Sequence, residues 1–396
     1  MIVYASLFLL ILIPLIRYDI CGKKGYEDIW YYVLLSALTA VAAFRYRTGG
    51  DTIIYMNFFD EYPTISELRS FDFTTAEFNP MWYIYNSVFK TLGNSFLLFQ
   101  IVQAIFVNSV IFWYLRKYCH YFFISVLVYY LGYYFYYNME IQREILCICL
   151  FLLVYPALIE KKYVRYYATV IFAITIHISA VLLLFMPLFI KLKNERIWLS
   201  LGTGLITVVF LLKFNVVDIV LSSILGDGSN IAKRYLMLEA PNAVGMIVTF
   251  MTCIPFLLFF YARKRMNIVY NNEMGALLNM VVLIQCVGMC MQGPARFSNY
   301  LMLIGLVFIV NTTFDNIDKI RQSQISKMVV LCGWFIYFFN LSYFYLKNKN
   351  EDVQGIHVYD RYIPYVSVFN PHLVEKRERL MINERYERSF PLHREP

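Results

Sequence analysis

Arg45-Tyr46-Arg47-Thr48-Gly49-Gly50-Asp51 gathers two guanidinium groups, a glycine pair and a carboxylate directly after an apolar run. Arginine presents a planar fork that suits phosphate oxygens. The glycines allow backbone geometries that other residues resist, and they let a ligand come close. The same residues also fit a plainer arrangement, in which Arg45 and Arg47 reach lipid headgroups and Asp51 opens a turn. A second cluster, Glu140-Ile141-Gln142-Arg143-Glu144, falls between two apolar runs. On a continuous helix, i,i+3 and i,i+4 spacing puts Glu140, Arg143 and Glu144 on one face. Charges this close to an apolar span are expensive and usually face a cavity. The alternative is an ion cluster in which Arg143 pairs with its own two glutamates.

His177 stands in Ile174-Thr175-Ile176-His177-Ile178-Ser179, far from any basic patch. It fits a hydrogen-bonded packing residue, or a cavity group that bonds a ligand or accepts a proton near neutral pH. Arg296, in Gln292-Gly293-Pro294-Ala295-Arg296-Phe297, begins another apolar run and equally suits an interfacial anchor. If their segments converge, Arg45, Arg47, Arg143, Arg234 and Arg296 make an anion site. Pyrophosphate is the natural anion for a membrane cavity.

The elements that position these residues are apolar helices. Hydrophobic residues make up 60% of the 396, charged residues only 16%, and the mean hydropathy is +0.55. Soluble chains carry roughly 25% charged residues. The apolar blocks approach the ~20 residues that cross a bilayer as helix, so the fold class expected is an all-α integral membrane protein of about ten to twelve transmembrane helices. The runs are 2–16, 29–44, 95–115, 121–138, 140–159, 164–190, 197–213, 244–262, 274–291, 298–314 and 327–346. Together they form one transmembrane catalytic domain, 1–346, followed by a polar C-terminal tail, 347–396. The first run lacks a basic leader and a small-residue cleavage site, so it is expected to be a retained span.

The net charge of +8 sits in short patches, a cytoplasmic loop bias and not a nucleic-acid surface. Placing Arg17–Lys24, Arg116–Lys117, Lys161–Arg165, Arg263–Arg265 and Lys319–Lys327 inside leaves 45–94, 138–143, 214–243 and 292–297 outside. The run 164–190 is long for one span and polar at its centre. Two half-helices that enter and return, with His177 facing a protein-lined cavity, resolve it. Tyr and Phe number 34 each, which interfacial belts and packing account for. Of the eight cysteines, six lie in apolar runs and none has the partners of a metal site. No nucleotide-binding loop is visible, and the residues call for no cofactor.

In these motifs the sequence resembles the EpsG family, relatives of the Wzy polysaccharide polymerases of bacteria. The resemblance rests on Arg45 to Asp51 with the following Tyr55, and on Glu77-Phe78-Asn79-Pro80-Met81-Trp82-Tyr83. It continues through Asn138-Met139-Glu140-Ile141-Gln142-Arg143-Glu144, where Glu144 replaces the usual Gln, His177-Ile178-Ser179, Arg296-Phe297-Ser298-Asn299-Tyr300 and Pro364-Tyr365. It implies a GT-C-like polymerase that joins polyprenyl-pyrophosphate-linked repeat units at the outer face of the bacterial inner membrane. The partners implied are those lipid-linked glycans, a chain-length regulator and a flippase. With that chemistry in view, Asp51 is the first candidate for the base that deprotonates the acceptor hydroxyl, and His177 the second. Arg143, Arg296, Arg45 and Arg47 are the candidates for pyrophosphate. Gly49, Gly50, Tyr55, Glu77, Glu140, Ser179 and Arg234 are the expected acceptor-cavity residues, with no metal. The alternatives are a lipid-linked oligosaccharide transporter, which would favour two similar halves that this sequence lacks, and another membrane transferase acting on surface glycans.

Overall fold

The computed structural model describes residues 2–73, 78–191, 271–288, 296–322, 324–346 and 356–380, with a few isolated helical positions between 202 and 258. The expected outer loop 214–243, most of the runs 197–213 and 244–262, and the cavity candidates Glu77 and Arg234 lie outside the described residues. Among the described residues the fold is all-α, with one isolated antiparallel bridge, Arg45 to Ser367, and no strand.

In chain order the helices are α1 (Ile2–Pro14, continued by a π-helical turn Leu15–Ile20), α2 (Glu27–Ala43), α3 (Thr52–Glu61), α4 (Pro80–Gly93), α5 (Phe96–Tyr118), α6 (Phe122–Gly132), α7 (Tyr134–Met139), α8 (Glu144–Ile159), α9 (Tyr163–Ile176) and α10 (Met186–Ile190). Beyond the central gap come α11 (Asn272–Gly288), α12 (Asn299–Phe314), α13 (Ile317–Gln322) and α14 (Gln324–Leu346). Ile2–Ile20 and Phe96–Tyr118 are long and apolar enough to cross a bilayer, while five other apolar helices are shorter. Three of the expected runs are broken. The run 121–138 is divided at Tyr133, the run 140–159 is helical only from Glu144, and 164–190 is interrupted at His177.

That last break has the form the polar centre suggested. His177 is extended (φ −150°, ψ 126°), and a 3-10 segment, Ile178–Phe185, follows. Tyr166 Oη donates to the Leu183 carbonyl at 2.6 Å, so the segment runs back beside α9. Buried tyrosines recur in this manner through the interior. Tyr134 Oη donates to Leu38 O at 2.6 Å and Tyr137 Oη to Asn299 O at 2.7 Å. Each buried hydroxyl thereby finds the hydrogen-bond acceptor that water cannot supply in the interior. Much of the tyrosine content is therefore internal packing, not an interfacial belt.

The helices share two ends. At one, Arg116 pairs with Asp28 at 3.1 Å, the Asp19 carboxylate accepts from Ile124 N at 2.7 Å, and His120 meets Asp315 at 2.9 Å. The patches Arg17–Lys24 and Arg116–Lys117 belong to this end. The other end joins the close of α2, the start of α5, the α7–α8 link, the α9 break and the start of α12, and every described candidate site residue lies there.

Candidate active site

The close of α2 is built by amide and guanidinium side chains. A helix C-terminus leaves carbonyls without intrahelical partners. Gln100 Nε2 donates to Ala43 O at 2.6 Å and Arg45 O at 2.8 Å, and the Arg45 guanidinium donates to Ala42 O. Arg45 Nε also reaches Thr52 Oγ1 at 3.3 Å. Arg45 is only 4% exposed, and burial pulls its pKa down to about 10, which keeps it charged. Expected at the pyrophosphate, Arg45 instead points inward and caps a helix.

The glycine pair has a specific tenant. Gly49, at φ +107°, donates to Arg361 O at 2.9 Å, and Gly50 N donates to Glu140 Oε1 at 2.9 Å. A Cβ at Gly49 would strike the Met139 carbonyl, and one at Gly50 the Glu140 carboxylate. The close approach that glycine permits here serves Glu140 and Met139. Glu140 also accepts from Tyr362 Oη at 2.7 Å and from Arg361 Nη1 at 2.6 Å, an ion pair whose side chains are 7% and 5% exposed.

The shared face expected for Glu140, Arg143 and Glu144 is absent. α7 ends at Met139, α8 begins at Glu144, and the four residues between are a non-helical link that sends the three charges apart. Glu140 meets the C-terminal segment, Arg143 meets α3, and Glu144 accepts from Asn299 Nδ2 of α12 at 3.1 Å. The pairing of Arg143 with its own glutamates gives way to Arg361 as partner of Glu140. Arg143 Nε donates to Tyr55 Oη at 2.8 Å, and its guanidinium lies 4.3 Å from the Phe78 ring centroid. Stacking and a phenol fix the plane of a half-buried arginine.

Arg47 takes a left-handed backbone, φ +46°, and its fork meets Glu378 at 2.8 and 2.5 Å. The Glu378 hydrogen bond holds the Arg47 pKa above its ordinary value. Asp51 stands at the N-cap position of α3, half-buried, yet its side chain does not cap the helix. Across the site, Ser179 N donates to His177 Nδ1 at 3.2 Å, Ser179 Oγ lies 2.6 Å from Nδ1, and Tyr300 Oη lies 2.8 Å from Ser179 Oγ. A nitrogen that accepts from an amide carries a lone pair, so the neutral His177 ring bears its proton on Nε2. Asn79 Nδ2 reaches Ile174 O at 3.4 Å and ties the Phe78 segment to the end of α9. The backbone of Arg296 opens a turn, Arg296–Ser298, that packs alongside 178–185.

The tail is where the sequence reading differs most from the structure. Its residues 356–380 fold onto the site loop. Tyr46 N donates to Val366 O at 2.8 Å and Val368 N to Phe44 O at 2.9 Å. Ile356 and Leu380 pack on Ile53 of α3. Arg361, Tyr362, Arg377 and Glu378 were not among the expected site residues. The nearest signal was the Pro364-Tyr365 element. Among the described residues no group of three or more His, Cys, Asp or Glu is placed to hold a metal ion.

Among the described residues, then, an all-α bundle brings the loop arginines, the glycine pair and the histidine element together at one end. The model described as the EpsG family matches residues 28–367, most of the chain. The protein belongs to the EpsG family, a Wzy-like polysaccharide polymerase family. No curated protein and no solved structure matches it.

Proposed function

We propose that the protein is a multi-pass, GT-C-like glycosyltransferase of the bacterial inner membrane that polymerises lipid-linked repeat units at the outer face. The acceptor hydroxyl oxygen attacks the anomeric carbon of the donor glycan. The carbon–oxygen bond to polyprenyl pyrophosphate breaks, and the pyrophosphate departs with the electron pair. Asp51 takes the hydroxyl proton, and Arg143 meets the charge developing on the pyrophosphate. His177, with its proton on Nε2, acts as a hydrogen-bond donor and not as the base. Arg296 and Arg47 are further contacts for the leaving group, whereas Arg45 is scaffold.

The observation that carries this reading is the arginine clamp. Arg143 is held by Tyr55 and Phe78 between the Asp51 helix and the His177 element. Lysine lacks the planar fork. Arg143→Lys is therefore expected to express normally and to lose polymerisation, a kcat drop on the order of a hundredfold for one transition-state donor. In cells it should yield glycan of a single repeat, read from the band pattern on gels. Normal chain lengths from Arg143→Lys would reject the clamp, and complete absence of even one repeat would point to transport instead.

Sidedness has its own test. A cysteine at Ser66 is expected to react with an impermeant maleimide in spheroplasts, and one at Lys23 only after lysis. The reverse pattern would place the site on the cytoplasmic side and remove the polymerase assignment.

A further inference from the structure

We propose that Arg377 is a positioning residue for glycosyl transfer, acting through the Arg47–Asp51 turn; this rests on the proposal that Asp51 is the base. Arg377 comes from the C-terminal segment, more than 300 residues after that turn in the chain. It is 1% exposed. Its Nη1 donates to Arg47 O and to Thr48 Oγ1, both at 3.2 Å. Its Nη2 donates to Pro364 O at 2.5 Å and its Nε to Asp360 O at 3.3 Å. The guanidinium plane thus fixes two stretches of chain relative to each other.

What it holds is the peptide that most needs holding. Arg47 has a positive φ of 46°, a conformation that is strained for a non-glycine residue. The Arg47 carbonyl is the acceptor that Arg377 fills. The next residue carries the constraint onward, since Thr48 O accepts from Thr52 Oγ1 at 3.0 Å. Thr52 directly follows Asp51 and starts α3. The backbone at Asp51 is therefore bracketed on one side by Thr52 and on the other by the peptide that Arg377 grips.

The segment does not need Arg377 to stay docked. The Arg361–Glu140 pair, the Tyr362 bond to Glu140, the backbone bonds to Tyr46, Gly49 and Phe44, and the Ile53–Ile356–Leu380 cluster hold it independently. Replacement by lysine keeps the charge and the stem but loses the fork, so the loss falls on geometry more than on folding.

The test is a double-mutant cycle on purified protein in lipid nanodiscs, with polymerisation of lipid-linked repeat units as the readout. Arg377→Lys is expected to lower kcat about tenfold to a hundredfold, the cost of misplacing a reacting group by an ångström or so. KM for the donor and the melting temperature should stay near wild type. In an Asp51→Asn background the same substitution should cost nothing further, because residues that act as a unit are not additive. Thr48→Val, which deletes one Arg377 acceptor together with the Thr48 hydroxyl's bond to Tyr46 O at nearly constant shape, should reproduce that non-additive loss. Wild-type kcat in Arg377→Lys, losses that multiply in the double variant, or failure of both Arg377→Lys and Thr48→Val to fold would overturn the proposal. Full turnover in Asp51→Asn alone would instead reject Asp51 as the base.

Discussion

Asp51→Asn is expected to leave a membrane-inserted protein that binds lipid-linked glycan and makes only single-repeat product, with kcat down about 10²- to 10⁴-fold. The substitution keeps the shape of the side chain and removes its basicity. It should not disturb α3, because Asn serves a helix N-cap and a turn about as well as Asp, and the Asp51 side chain makes no capping bond in any case. His177→Gln should be milder. Its Nδ1 is already occupied by Ser179, and a glutamine amide can replace the donor function of Nε2–H. Turnover measured on purified variants decides between the two. If Asp51→Asn polymerises normally while His177→Gln abolishes chains, the base is His177 and the roles exchange. Normal chains from both would exclude either as the base.

The features legible in the sequence are those that local pattern encodes. A histidine and a serine in the middle of an over-long apolar run are costly in lipid, so a break with a returning segment followed from 164–190 alone, and the reversal falls at His177. The patches Arg17 to Lys24 and Arg116–Lys117 also fall together, at the end of the bundle away from Glu140. Spacing failed where it assumed continuity. Residues 140–144 contain neither proline nor glycine, so nothing local announces that α7 stops and α8 starts within the charged cluster. Composition also gives a residue's type but not its direction. Arg45 and Arg143 look equivalent as guanidinium groups near an apolar run, yet one is spent on helix carbonyls and the other is framed by aromatic rings. The contacts of Arg361, Arg377 and Glu378 join points more than 200 residues apart in the chain, and no single-sequence periodicity reports such pairings.

Those long-range contacts make Glu140 the residue whose loss should be felt most in folding. Gly50 N, Tyr362 Oη and Arg361 Nη1 all converge on its carboxylate. The Arg361 and Glu140 side chains are 5% and 7% exposed. Removing one member of a buried pair leaves the other charged and desolvated, which costs about 3–5 kcal/mol. Glu140→Ala and Glu140→Leu are accordingly each expected to lower the melting temperature sharply in detergent, and Arg361→Met to do the same. Combining Glu140→Leu with Arg361→Met removes both charges together, and such replacements are often neutral in stability. The double variant should therefore regain much of its thermal stability, less the part owed to Gly50 N–H and Tyr362 Oη. Activity should not return with it, because the Gly49–Asp51 turn has lost the carboxylate against which it is moulded. Glu140 was expected in the acceptor cavity, and the measurement separates that role from the present one. A Glu140→Ala protein that melts like wild type and shows only a raised KM for the acceptor would mean that the carboxylate faces substrate. Stability lost in each single variant and recovered in the double would identify the pair as the clasp that fastens the C-terminal segment to the Gly49–Asp51 turn.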